Sequence, residues 1–297
     1  MPTLIKKSPT RPSANTIRVL QSGALKRIPW LVHGFSTRSG GHSLVYGGRS
    51  LNLSFTKQDS RDAVEKNRRA FLLALGANNG DRPWPLIALK QIHSDIIHVI
   101  RSHDSGQLAG DGLITNLPGV ALAVQTADCF PILLVDVRNK AAGAFHAGWR
   151  GTVNRIVEKG LGRMRHEYGS LPQDIYAAIG PGIQKCCYEV GAELKDQFES
   201  QFDYGQHLFH EVHSIDPVRE KYPLLFMTMR PPGHGDTGPR LHLDLQEANR
   251  RQLLAAGVPD NQITVLEHCT SCNTRKFFSH RANKGVTGRM MAVVGIQ

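Results

Sequence analysis

Two rhythms of apolar positions alternate along the chain. Over 59–75, hydrophobic side chains recur at helical spacing, with Ala63, Ala70 and the leucines at 73 and 75 on the contact side. This predicts an amphipathic helix. Residues 152–168 repeat the spacing through Val153, Ile156, Leu161, Met164 and Tyr168, and residues 245–256 do so again. Between these lie short runs rich in Val, Ile and Ala and bounded by turn residues, which read as buried strands at 120–125, 132–137, 141–146, 175–179, 263–266 and 290–296. Residues 87–100 read as one further strand interrupted by His93 and Asp95. Residues 32–49 read as a short strand entering a Ser39-Gly40-Gly41 loop. Alternating helices and strands, with a central meander, predict a mixed α/β fold in a single domain.

The pattern changes at two places. The first thirty residues hold six basic side chains and no acid, and residues 1–26 hold three prolines (Pro2, Pro9 and Pro12) among serines and threonines. We expect a flexible basic extension over 1–27, ahead of a globular domain at 28–297. From 203 to 240, prolines crowd together with His207, His210, His213 and His234, which predicts an insertion or long surface excursion. The three histidines at 207, 210 and 213 could line a helix as a metal patch, but a solvated loop accounts for them as well.

Composition narrows the function. Hydrophobic residues are 40% and charged residues 21% of the 297, a globular balance, and no apolar run reaches membrane-spanning length. The net charge of +11 invites a nucleic-acid reading. More than half of it sits in the first thirty residues, however, so we expect no nucleic-acid partner and small anionic ligands instead. Five cysteines and no secretory leader point to a reducing, cytoplasmic setting.

Three segments put metal-competent residues at strand ends: Lys90-Gln91-Ile92-His93, Thr126-Ala127-Asp128-Cys129 and the run from His146 to Gly151. Two imidazoles and a thiolate suit zinc, and three protein ligands leave a coordination position open, as in catalytic sites. Spacing alone is a weak signal, because a buried cysteine or a satisfied histidine is the commoner fate of each. Arg38 and Arg150 lie in glycine-rich turns, where a guanidinium could hold phosphate. Asp128 could orient a ligand, act as a base or cap its turn. Cys269 and Cys272 form a CxxC with no second pair in sequence, which reads as two buried thiols, and Cys186-Cys187 reads as a turn feature.

The ordered set KQIH, GDGLIT, QTADC, FHAGWRG, GPGIQKCCYEVG, CTSC, FFSHR and TGR resembles the laccase-domain family, also called multicopper polyphenol oxidases and purine nucleoside phosphorylases. The resemblance runs from His33 to the C-terminus. It implies a four-layer α/β/β/α sandwich with mixed sheets and zinc on His93, Cys129 and His146. It further implies phosphorolysis of adenosine, inosine, guanosine and methylthioadenosine, with adenosine deamination alongside. Purine nucleosides and phosphate are then the expected partners, with Arg38, Arg150, His280 and Arg281 as expected substrate or phosphate contacts. Catalytic roles would fall to His93, Cys129, His146 and Asp128. Oligomeric state is left open.

Two other chemistries use the same residues. Copper could occupy the site in vitro, and a copper phenol oxidase is one alternative. Against it, the chain contains no His-x-His pair, the arrangement by which one strand serves neighbouring copper atoms. A cysteine hydrolase with Cys129 as nucleophile and His146 as base is the other.

Overall fold

A computed structural model describes residues 16–104, 106–212, 221 and 240–297. Two mixed sheets lie face to face. The five-stranded sheet runs Val19–Leu20, Leu31–Ser36, Met290–Ile296, Ala121–Thr126, Leu86–Ala88, and only its last pair is parallel. The six-stranded sheet runs Ile263–Val265, Ile175–Ile179, Phe130–Asp136, Ala141–Ala147, Gly112–Thr115, Ile97–Val99, with a parallel pair at each edge.

Side-chain alternation builds the layers. On Ala121–Thr126, Leu122 and Val124 point into the space between the sheets, where they meet Leu133, Val135, Ala144 and Val294. Ala121 and Ala123 point the other way, against Phe71 and Leu72 of the Arg61–Leu75 helix. On Phe130–Asp136, Ile132 and Leu134 face outward to Ile156, Leu161 and Met164 of the Ile156–Tyr168 helix and to Leu253 of the Leu245–Ala255 helix. The result is the expected helix, sheet, sheet, helix stacking. Central strands are apolar on both faces because both faces are covered.

Local chemistry sets the element ends. Ser60 accepts the Ala63 amide and starts the Arg61–Leu75 helix, and Gly76 at φ 77° ends it in the left-handed region. The predicted 152–168 helix is two helices, Trp149–Val153 and Ile156–Tyr168, because Arg155 adopts φ 60° between them. The predicted strand at 87–100 is also two, one in each sheet. The predicted glycine loop is instead the strand Ser39–Ser43. The meander is broken too: Ala121–Thr126 and Phe130–Asp136 belong to different sheets.

Val19–Leu20 pairs with Phe35–Ser36, and Leu25 is fully buried, so residues 19–27 belong to the sandwich; 1–15 lie outside the described residues. Phe209–Val212 pairs with Arg240–Leu243, so the flanks of the excursion meet in a three-stranded sheet completed by Glu189–Val190. His207 sits in a short 3-10 turn and His210 in a strand, so they share no helix. His213 and His234 lie outside the described residues.

His33 yields a prediction. It is 1% exposed, and its Nε2 accepts the Ser22 amide at 3.1 Å. Burial, with lesser repulsion from Lys26, lowers its pKa to about 4. Below pH 6.5 the unfolded chain takes up a proton that the folded chain refuses until about pH 4. Stability should therefore fall through that window, by about 3 kcal/mol from this group. Urea unfolding from pH 7 to 4 should show this slope, and His33→Gln should flatten it.

Candidate active site

The chain crosses between the sheets after Ala88 and again after Thr126, and the strand Ala141–Ala147 turns into a helix at the same edge. His93, Cys129 and His146 lie at these three places. Their ligand atoms all lie within 4.8 Å of one another. Cys129 Sγ is 3.9 Å from His93 Nε2, and the two imidazoles meet edge to face with centroids 4.9 Å apart.

Asp111 organises the cluster. Its buried carboxylate accepts the successive amides of Ile92 (3.2 Å), His93 (3.1 Å) and Ser94 (2.6 Å), and the Ser94 hydroxyl at 2.8 Å. Such a run of amides is an anion-binding nest, and here it folds the loop so that His93 takes φ 58°. The same carboxylate accepts from His146 Nδ1 at 2.8 Å, which turns Nε2 toward Cys129. The His146 amide in turn donates to the Asp111 carbonyl. Gln91 clasps the loop to the neighbouring strand: its Nε2 donates to the Gln125 carbonyl and its Oε1 accepts the Gln125 amide.

Asp128 takes φ 91°, a conformation costly for a non-glycine residue. It is held there by three bonds. Its carboxylate accepts Thr270 Oγ1 at 2.7 Å and the Arg281 amide at 2.6 Å, and its carbonyl accepts the Ile183 amide. Both carboxylate oxygens thus clip loops to the strand end that carries Cys129. Gly148 leaves room for the cluster: a Cβ there would meet Cys129 Sγ at 3.0 Å and His93 Cδ2 at 3.1 Å.

The electrostatics are coupled. Burial alone would push the Cys129 thiol up and the His146 imidazole down. Each holds the other charged instead: His146, aided by His93, draws Cys129 down to about 6, while Cys129 and Asp111 lift His146 to about 9. Burial also opposes ionisation of Asp111, yet its hydrogen bonds from His146 and Ser94 hold it at about 2. The donor set suits a borderline-soft divalent ion. Tetrahedral zinc, with bonds of about 2.3 Å to sulfur and 2.0 Å to nitrogen, would separate those atoms by roughly 3.6 Å. The observed sulfur–nitrogen distance of 3.9 Å fits with little adjustment.

A cleft of about 750 Å³ opens onto the cluster. Its cations are Arg68, Lys90, Arg281 and Arg289, with His280 beside them, and its sole acid among the described residues is Asp128. Arg68 stacks on Phe55 at 4.3 Å, and burial lowers its pKa to about 10. Tyr188 also lines the cleft, and burial pushes its phenol above its ordinary range.

The sequence-predicted contacts divide. His280 and Arg281 line the cleft. Arg38 does not: its guanidinium donates to the carbonyls of Thr274 (2.6 Å) and Tyr46 and lies over the Phe278 ring. Arg150 lies over Trp149 at 4.2 Å and is likewise outside the lining. Sequence reasoning missed Arg68. It quoted Lys90, Asp111, Tyr188 and Arg289 within motifs without giving them a role. The GDG, KQIH and TGR runs were the available signals.

The CxxC is not two buried thiols. Cys269 is buried but Cys272 is exposed, and Cys186 and Cys187 come to meet them. The missing second pair is supplied from a distant turn.

The fold and the site define a sandwich enzyme with a His-Cys-His centre beside a cationic cleft. A family model described as multi-copper polyphenol oxidoreductase laccase matches residues 32–297, and the chain belongs to that family. It is 36% identical over 276 residues to purine nucleoside phosphorylase YlmD of Geobacillus stearothermophilus, covering 89% of each chain. It is 33% identical over 259 residues to adenosine deaminase RL5 of an unknown prokaryotic organism, covering 84% of this chain and 88% of that one. The crystal structure of Bacillus licheniformis YfiH, 31% identical, matches with a TM-score of 0.75 over 90% of this chain and 93% of that one. No described helix is long and apolar enough to cross a membrane.

Proposed function

We propose that this protein is a zinc-dependent purine nucleoside phosphorylase that also deaminates adenosine, with His93, Cys129 and His146 as the zinc ligands. The observation that carries the reading is the cationic cleft opening directly onto the three-ligand cluster. The names of the relatives, phosphorylase in one case and adenosine deaminase in another, support it.

Bound zinc would supply a Lewis acid at the inner end of the cleft. Arg281, Arg289 and Lys90 bind phosphate, because guanidinium forks and an ammonium match its oxygens. Phe55 and Tyr188 offer aromatic faces to the purine. In phosphorolysis the bond from C1′ to the purine nitrogen breaks, a phosphate oxygen bonds to C1′, and a proton must reach the departing base. His280, on the cleft wall, is the candidate donor. In deamination, water replaces the amino group at C6.

The test is product analysis of zinc-loaded protein given adenosine with and without phosphate. Free adenine and ribose 1-phosphate only when phosphate is present, together with inosine in its absence, are expected. No product under either condition would sink the reading. Arg281→Ala should raise the KM for phosphate roughly tenfold, one charge-assisted contact's worth. Arg38→Ala should leave that KM unchanged and lower stability, since Arg38 lies outside the cleft lining and ties two loop carbonyls together; a raised KM would return Arg38 to the phosphate site.

The thiolate–imidazolium pair at Cys129 and His146 favours one second reading, the cysteine hydrolase. Chelation separates the two: removal of the ion frees the sulfur, so a hydrolase should gain activity and a metalloenzyme should lose it.

A further inference from the structure

Outside the candidate active site, one other cluster gathers metal-competent atoms. The turn at 184–187 and the 269–273 loop lie about eighty residues apart in sequence. They are joined by the Gly182–Cys269 bridge and by the Thr270 amide donating to the Gly182 carbonyl at 3.0 Å. Three sulfurs touch one another there: Cys186 and Cys187 at 3.8 Å, Cys186 and Cys272 at 3.4 Å, Cys187 and Cys272 at 3.2 Å. All four sulfurs, including Cys269, fall within 4.8 Å of one another.

We propose that Cys186, Cys187, Cys269 and Cys272 form a second metal site, a tetrathiolate centre for a borderline-soft divalent cation of the zinc type.

Geometry separates this from the alternatives. Zinc at about 2.3 Å from four sulfurs spaces them roughly 3.8 Å apart. The three closest pairs here span 3.2 to 3.8 Å, so an ion would need only a slight opening of the cluster. A disulfide joins two sulfurs and gives no reason for a third and a fourth to converge, whereas one ion does. Four thiolates around a divalent ion carry a net double negative charge, and Lys185, Arg275 and Lys276 lie next to or near the cysteines in sequence, with Lys185 paired to Asp244 at 3.1 Å. A site with four protein ligands has no open position, so its role is structural.

The site would brace the wall of the cleft. Thr270 and Ile183, which flank the cysteines, are two of the three residues that clip Asp128 beside Cys129. Tyr188 follows Cys187 directly and lines the cleft. An ion on the four sulfurs would therefore hold both loops against the catalytic strand end without touching substrate.

The experiment removes the first site and counts metal at the second. Cys129→Ala/His146→Ala protein keeps the four cysteines. Purified anaerobically, it should retain one zinc, and cobalt(II) exchanged into it should give the intense visible absorption of a tetrahedral tetrathiolate. Adding Cys187→Ser and Cys272→Ser should remove both signals. Native mass spectrometry of the unaltered chain gives a second readout that needs no variant, with two ions expected. No zinc in the Cys129→Ala/His146→Ala protein, equal zinc in the proteins with and without Cys187 and Cys272, or a single ion in the unaltered chain that survives loss of those two cysteines, overturns the proposal. So does a metal-free chain two protons lighter through a disulfide among the four. These readouts do not depend on turnover, so the phosphorylase reading can fail while this site stands, and the reverse.

Discussion

Cys129→Ala is expected to release the ion from the His-Cys-His cluster and to reduce kcat/KM for adenosine phosphorolysis by at least about a thousandfold, roughly 4 kcal/mol of transition-state stabilisation. Two histidines alone would hold a divalent ion weakly. The variant should also lose the proton coupling of the site. Between pH 6 and 9 the metal-free pair holds one proton, as imidazolium at His146 beside thiolate at Cys129. Metal binding must displace that proton. Affinity should therefore rise with pH across this window and fall more steeply below about 6, where Cys129 also takes up a proton. Calorimetry at pH 7.5 in buffers of different ionisation enthalpy should report about one proton released per ion. A pH-independent affinity, or full occupancy in Cys129→Ala, would overturn the ligand assignment.

The second large effect is expected at Asp111, which touches no substrate. Asp111→Asn retains shape but removes the charge that gathers three amides, a hydroxyl and the His146 imidazole. An amide nitrogen at either carboxylate position faces backbone donors and finds an acceptor only if the His146 tautomer or the Ser94 hydroxyl turns to meet it. Metal affinity should fall 10- to 100-fold, the usual cost of losing a carboxylate that orients a ligating histidine. Folding stability should fall by about 3 kcal/mol, because a buried charge-assisted network loses its centre. The two readouts separate the roles. Lost stability with unchanged metal affinity would leave Asp111 a purely structural residue. A shift of the His146 tautomer seen by nitrogen NMR would tie the loss to the ligand itself.

His93, Cys129 and His146 illustrate how far motif reading reaches. Each sits in a run specific enough to name a ligand, and the described structure brings all three together. Arg38 shows its limit. A glycine-rich turn beside an arginine is what a phosphate loop requires, yet the guanidinium is claimed by Thr274 and Tyr46 carbonyls from elsewhere. Asp111 lay within the quoted GDGLIT run without a role, because its function is to collect donors 17 to 35 residues away. The CxxC reads in sequence as two buried thiols because no second pair lies near it, and the pair that meets it was visible only as a turn.

Local pattern determined the element types. The periodicities of 59–75 and 245–256 and the doubly apolar strands at 132–137 and 290–296 answer to burial on one stripe or on two faces, which neighbouring residues already encode. Tertiary structure decided which strands share a sheet, where 87–100 breaks to cross between sheets, and which arginines reach the cleft. It also brought Cys186 and Cys187 to Cys269 and Cys272. The reason is physical: strand partnership and side-chain capture depend on competition among distant donors and acceptors, each of which must be satisfied once buried. No window of sequence contains both members of such a pair.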